Sequence, residues 1–145
     1  MSYSIYIRNQ ERTKNPINKN QVEIWVNELI KWLFDINQEH NNYRFFQNKE
    51  KLLQLKLQDI LATVTDDTNQ IIVNSNHFFD SLEQIHFVLI NDLETIINFD
   101  PAAKSKEEVL IAYPGFFAIT AYRIANFFWK LNIPIIPRII TEYVH

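Results

Sequence analysis

From Gln21 to Ile36, apolar residues recur at Val22, Trp25, Val26, Leu29, Trp32, Leu33 and Ile36. Steps of three and four place them on one wide face of a helix, and Asn20 stands where a cap belongs. A polar connection follows over residues 37–48. Tyr43, Phe45 and Phe46 interrupt it and are expected to plug the adjacent core. A second helix is predicted from Lys49 to Val64, with Leu53, Leu57, Ile60, Leu61 and Val64 on one face. The Asp66-Asp67 pair marks the turn after it. Ile71-Ile72-Val73 fits either an extended piece or the approach to the next helix. A third helix shows the cleanest period, with Phe78, Leu82, Ile85, Leu89, Leu93 and Ile96. Asn74, Ser75 or Asn76 is its expected cap, and it ends near Asn98.

The texture changes at Asp100. Ser105-Lys106-Glu107-Glu108 is a capping box ahead of Val109-Leu110-Ile111, and Pro114 ends that short helix. A longer helix is predicted from Phe116 to Lys130. Ala118, Ala121 and Ala125 form its small-residue stripe, where another helix can approach closely. Asn132-Ile133-Pro134 reads as a turn, with Pro134 in a first-turn position. Ile136, Ile139, Ile140 and Tyr143 form a last helix, still in pattern at His145. The first twenty residues are a polar arm. Their Tyr3–Ile7 alternation fits a strand or an extended segment lying on a partner, and Asn15-Pro16 marks a turn. The expected class is all-α, a bundle of about six helices with consecutive helices antiparallel. Its regions are an arm over 1–20, a helical region over 21–98 and a junction region over 99–145.

Composition narrows the function. The 145 residues contain no cysteine and one glycine, Gly115. An average domain of this length would carry roughly ten glycines. Phosphate-cradling glycine loops and chains of tight hairpins are therefore excluded, as are disulfides and a cysteine nucleophile. The net charge of -3 gives no case for nucleic acid or an anionic membrane. The charge is uneven. Residues 1–20 carry Arg8, Arg12, Lys14 and Lys19 against Glu11, net +3, which leaves -6 for the rest. The longest charge-free apolar stretch, Val109 to Tyr122, has fourteen residues. That is short of the about 20 a membrane span needs. With no secretory leader at the N-terminus, the expected location is cytoplasmic.

Candidate chemistry is sparse. His40, His77, His86 and His145 form no local metal-ligand spacing, and no metal is expected. His86 reads as a histidine at the core edge, and His40 as solvated. Asp66-Asp67 and Glu107-Glu108 read as turn and capping features, since adjacent helical residues do not face each other. Asp100 precedes Pro101, so its backbone is pushed to an extended conformation at a helix-to-helix corner. It reads as a turn or cap aspartate whose carboxylate can face outward. Arg123 is the only charge between Val109 and Phe128. It needs a partner on so apolar a helix. Glu107, Glu108 or Asp100 is expected, with a bound phosphate or carboxylate as the other reading.

Asp100-Pro101-Ala102-Ala103, Tyr113-Pro114-Gly115-Phe116, Ala118, Ala121-Tyr122-Arg123-Ile124-Ala125 and Trp129 together resemble serine O-acetyltransferases of the hexapeptide-repeat superfamily. The resemblance covers residues 98–145, about a third of the chain. Residues 1–97 are similar to that family's N-terminal region in helical texture only. It implies a helical domain ahead of a left-handed parallel β-helix, trimers joined into a hexamer, and acetyl transfer from acetyl-CoA to L-serine for cysteine synthesis. It also implies a general-base histidine in the β-helical domain, beyond His145. Asp100 corresponds to the aspartate that binds the substrate's amino group, with Pro101 shaping the corner. Pro114, Gly115, Tyr122 and Arg123 correspond to fold and junction residues without a catalytic role. Hexapeptide repeats, base histidine and coenzyme groove are absent from the 145 residues. The expectation is therefore an N-terminal fragment, an inactive helical domain that assembles the parent and binds no cofactor itself. The alternative is a stand-alone helical protein–protein interaction module.

Overall fold

The computed structural model describes residues 2–12, 17–36 and 42–145. The Asn15-Pro16 turn and His40 lie outside them. The described residues form eight α-helices and no strand: α1 (Ser2–Gln10), α2 (Lys19–Phe34), α3 (Tyr43–Leu61), α4 (Thr68–Asp80), α5 (Leu82–Phe99), α6 (Lys106–Ala112), α7 (Pro114–Lys130) and α8 (Ile136–Tyr143). The all-α class is as expected, but the helix count exceeds six for two local reasons.

First, Tyr3–Ile7 is helical rather than extended. It forms α1, which buries no residue. Second, the long third helix is two helices. Asp67, not an asparagine at 74–76, caps α4 by accepting the Gln70 N–H at 3.1 Å. Ile71-Ile72-Val73 thus belongs to α4. The break falls at Ser81, whose hydroxyl donates to the His77 carbonyl at 2.8 Å. Such back-bonding competes with the helix ladder and bends it.

Other boundaries also move. Asn18, rather than Asn20, caps α2 through the Gln21 N–H at 3.2 Å. Asn42 caps α3 through the Arg44 N–H at 2.8 Å, so that helix starts at Tyr43. Phe46 stacks on Trp32 at 4.4 Å between ring centroids, while Tyr43 and Phe45 point to solvent. Pro137, not Pro134, occupies the first turn of α8. Pro134 instead opens a tight γ-turn, in which the Ile136 N–H reaches the Pro134 carbonyl at 2.7 Å and Ile135 takes φ 68.

Two apolar clusters hold the helices together. The larger joins α2, α3, α4, the start of α5, α7 and α8, around Leu29, Leu53, Leu57, Ile60, Phe78, Leu82, Ile124, Phe128 and Ile140. Phe78 is its hub. Its ring lies 4.6 Å from Phe128 and 5.9 Å from Trp25. Trp25 is fully usable in this core because its indole N–H donates to the Leu53 carbonyl at 2.9 Å. Ala121 and Ala125, the small stripe of α7, are buried here. The smaller cluster joins α5, α6 and α7 through Leu89, Leu93, Val109 and Phe116, with Ile96, Ala103 and Tyr113 packed against it. The Asp100 corner rests on this second cluster.

Candidate functional site at the Asp100 corner

α5 ends at Phe99, and Asp100 leaves it with φ -100 and ψ 109, the extended geometry a following proline imposes. Its N–H still donates to the Ile96 carbonyl at 2.9 Å. Pro101 then turns the chain, and the Ala103 N–H closes the turn on the Asp100 carbonyl at 3.0 Å. The side chain locks the same turn: Oδ1 accepts the Ala102 N–H at 2.9 Å. Two residues later Ser105 caps α6, its hydroxyl accepting the Glu108 N–H at 3.1 Å. The capping box thus starts α6 at its expected place.

α6 is short enough to bring Tyr113 back to Asp100. The Tyr113 phenol comes close enough to Asp100 to feel its charge. Partial desolvation holds this phenol above its ordinary range, and the negative charges of Asp100 and Glu108 add to the effect. Two of the quoted sequence segments, the Asp100 turn and the Tyr113 step, are therefore one site. Asp100 is half-buried. Among the described residues it has only neutral donors and enters no ion pair. A carboxylate met by no cation of its own chain is open to a cationic group from outside. Phe99, 82% exposed, stands beside it as an apolar wall.

The remaining candidates lie apart from this corner. Arg123 does not reach Glu107, Glu108 or Asp100. It makes two hydrogen bonds to Asp92 on α5, Nε to Oδ2 at 2.8 Å and Nη2 to Oδ1 at 3.1 Å. The rotation of α7 against α5 turns Arg123 toward the middle of α5 rather than its end. Tyr122, 43% exposed, lines a cleft of about 500 Å³ with Trp129, Pro137 and Arg138. Pro114 is the first residue of α7, so Gly115 is a helical residue and not a corner. Its φ is not positive, and a Cβ there would meet nothing within 4 Å. Pro101 is exposed on the turn.

His86 is half-buried against the Phe34 ring at 5.6 Å, and burial lowers its pKa. His77 lies on the Phe127 ring at 5.2 Å. Among the described residues no three His, Asp or Glu side chains gather as metal ligands. No helix there is long and apolar enough to cross a membrane. Sequence reasoning missed Asp92 and the Tyr113 hydroxyl. Neither carries a local signal, because each matters only through a helix distant in sequence.

No family model matches the chain. Three curated relatives are serine acetyltransferases. The plasmid-borne one of Synechococcus elongatus is 38% identical over 68 residues, covering 47% of this chain and 21% of that protein. A second from Synechococcus elongatus is 40% identical over 54 residues, covering 37% and 22%. That of Bacillus pumilus is 42% identical over 55 residues, covering 38% and 25%. The chain thus spans about a fifth to a quarter of the length of these relatives. In fold it is similar to Entamoeba histolytica serine acetyltransferase 1, crystallised in complex with L-cysteine. The TM-score is 0.72 at 20% identity, over 99% of this chain and 56% of that one.

Proposed function

We propose that the chain is the N-terminal helical domain of a serine O-acetyltransferase, with Asp100 at its amino-acid-binding corner. The observation that carries this reading is that serine acetyltransferases are similar to it in both sequence and fold. The chemistry of the corner supports it. Asp100 offers an uncompensated carboxylate to the ammonium of L-serine, while Pro101 and the Ala102 N–H hold that carboxylate at the turn. L-cysteine shares serine's ammonium and carboxylate, so the Entamoeba complex fits a parent that binds such amino acids.

In the parent, a histidine of the downstream β-helix takes the proton of the serine hydroxyl. The serine oxygen bonds to the acetyl carbonyl carbon of acetyl-CoA, the carbon–sulfur bond breaks, and the proton passes to the departing coenzyme A sulfur. This chain supplies neither the base nor the coenzyme surface, so it is inactive alone. Residues 1–20 act as an arm, 21–98 as the assembly region and 99–145 as the junction to the β-helix. Pro114, Gly115, Tyr122 and Arg123 shape that junction. The parent works in the cytoplasm as a trimer or hexamer.

A chimera tests this reading. Residues 1–145 replace the helical region of the Bacillus subtilis serine acetyltransferase, and acetyl transfer from acetyl-CoA to L-serine is measured. The chimera is expected to be active. Asp100→Asn should raise KM for serine about 10- to 100-fold, the worth of a charged hydrogen bond, with KM for acetyl-CoA unchanged. A folded chimera that binds acetyl-CoA but does not acetylate serine overturns the proposal. So does acetyl transfer by the 145 residues alone.

A further inference from the structure

The cleft of about 500 Å³ between α7 and α8 shares no residue with the Asp100 corner. Its volume lies within the roughly 300–1,000 Å³ of small-molecule sites. Local sequence explains why the space exists. Ala125 and Pro137, both buried, form the floor, and neither side chain is long enough to fill the gap. Tyr122, Asn126 and Trp129 recur at steps of four and three, so they stand on one stripe of α7. Arg138 and Thr141 line the cleft from α8.

The lining is aromatic and cationic. Trp129 is 69% exposed, whereas Trp25 and Trp32 are 2% and 4% exposed. Arg138 is the one charged side chain lining the cleft. Its Nε meets Glu142 at 3.0 Å, which leaves its Nη groups to a ligand. Thr141 is spent on the Arg138 carbonyl at 3.1 Å. Among the described residues the Asn126 amide, the Tyr122 hydroxyl and the Trp129 indole N–H make no hydrogen bond.

An exposed indole beside a guanidinium recognises one kind of ligand. The indole offers a flat face on which a ring can stack. The guanidinium pairs with a phosphate or carboxylate through parallel N–H groups. An aliphatic anion would leave Trp129 unused, and a neutral ring would leave Arg138 unused. We propose that the α7–α8 cleft binds a small planar aromatic anion, a nucleoside monophosphate or an aromatic carboxylate, with its ring on Trp129 and its acidic group on Arg138. The Asn126 amide and the Tyr122 hydroxyl supply hydrogen bonds to polar groups on the ligand. The site stands apart from the acetyl-transfer reading and does not rest on it.

Nuclear magnetic resonance titration of the 145-residue chain tests this, with adenosine 5′-monophosphate and, separately, with 2-naphthoate. The Trp25 and Trp32 indole N–H groups are tied to the Leu53 and Phe46 carbonyls, so the Trp129 indole signal alone should move. Trp129→Phe assigns that signal by removing it. A response to either compound supports the proposal, and the one that binds more tightly tells the phosphate source from the carboxylate source. Adenosine and inorganic phosphate each lack half of the ligand and should bind about tenfold more weakly. Arg138→Gln should weaken binding about 10- to 100-fold, the worth of a charged hydrogen bond. Glu142→Gln should strengthen it about threefold, because it frees the Arg138 Nε and removes a repelling charge. A merely structural role for Arg138 would not produce that gain. Arg138, Glu142 and Trp129 are exposed, and far-UV circular dichroism confirms that each variant folds. No movement of the Trp129 signal at about 10 mM of either compound overturns the proposal. So does binding of adenosine or phosphate that equals theirs, or binding that ignores Arg138→Gln. A Trp129 signal that shifts with protein concentration would show the cleft covered by a second copy, and also overturns it.

Discussion

Arg123 of α7 and Asp92 of α5 form a two-pronged ion pair, at 2.8 and 3.1 Å, across 31 positions of sequence. The planar guanidinium matches the carboxylate edge on, a geometry that lysine cannot reproduce. The pair ties α7 to α5, the two helices next to Tyr113 and Asp100. The side chains are 42% and 26% exposed, so screening by solvent keeps its worth modest.

Arg123→Met should therefore lower stability by about 0.5–1 kcal/mol, and Asp92→Asn by a similar amount. In a double-mutant cycle the combined variant should be no less stable than the worse single variant, since the two changes remove one interaction. Denaturant titration measures this. Strict additivity of the two effects would show that the pair is not energetically coupled.

The Tyr113 phenol should ionise above the ordinary 10.0. Its pKa is raised by desolvation first, then by the charges of Asp100 and Glu108. The folded value lies above the ordinary 10.0, so the neutral phenol's contribution to stability is whole below pH 10 and is lost as pH rises through the folded value. Ultraviolet titration of the six tyrosines should show a late step that Tyr113→Phe abolishes. Asp100→Asn should move that step toward the ordinary range. A late step that persists in Tyr113→Phe assigns it elsewhere and refutes the contact.

His86 predicts the behaviour in acid. Burial lowers its pKa below the ordinary 6.5, so the folded state favours the neutral ring resting on Phe34. Its contribution to stability is present above pH 6.5 and is lost as pH falls through the folded value. His86→Leu should flatten that part of the stability–pH curve. Nuclear magnetic resonance titration should find the His86 midpoint below the ordinary 6.5; a midpoint at or above 6.5 would contradict burial as the dominant influence.

Gly115→Ala should stabilise the protein. The residue sits in the first turn of α7 with φ not positive and open space where Cβ would go. Alanine there loses less backbone entropy on folding, worth about 0.4–1 kcal/mol. That corresponds to roughly 1–4 °C in Tm for a domain of this size. A fall in Tm would mean that the position needs glycine after all.

Much of the local structure was legible from the residues alone. The apolar period placed Val22, Trp25, Leu29, Leu53, Leu57, Phe78 and Leu89 inside, and all are buried. Ser105 announced its cap, and Pro101 forced Asp100 into an extended conformation. These effects act within about four residues, where helix geometry and peptide sterics alone set the outcome. The same locality explains the misplaced starts of α2 and α3. Several asparagines could cap, and only one side chain, Asn18 or Asn42, meets the orphan N–H. The low glycine content correctly pointed to helices, yet the one glycine turned out to serve no turn.

The sequence by itself determined that the protein is helical, which faces are apolar, and that a proline-bent aspartate stands between two helices. Tertiary structure alone decided which partners those faces and charges meet. Asp92 reaches Arg123, and Tyr113 returns to Asp100, because helices pack at rotations and angles set by the whole core. A side chain's direction from a helix is written in the period, but what stands opposite depends on every other helix in the bundle.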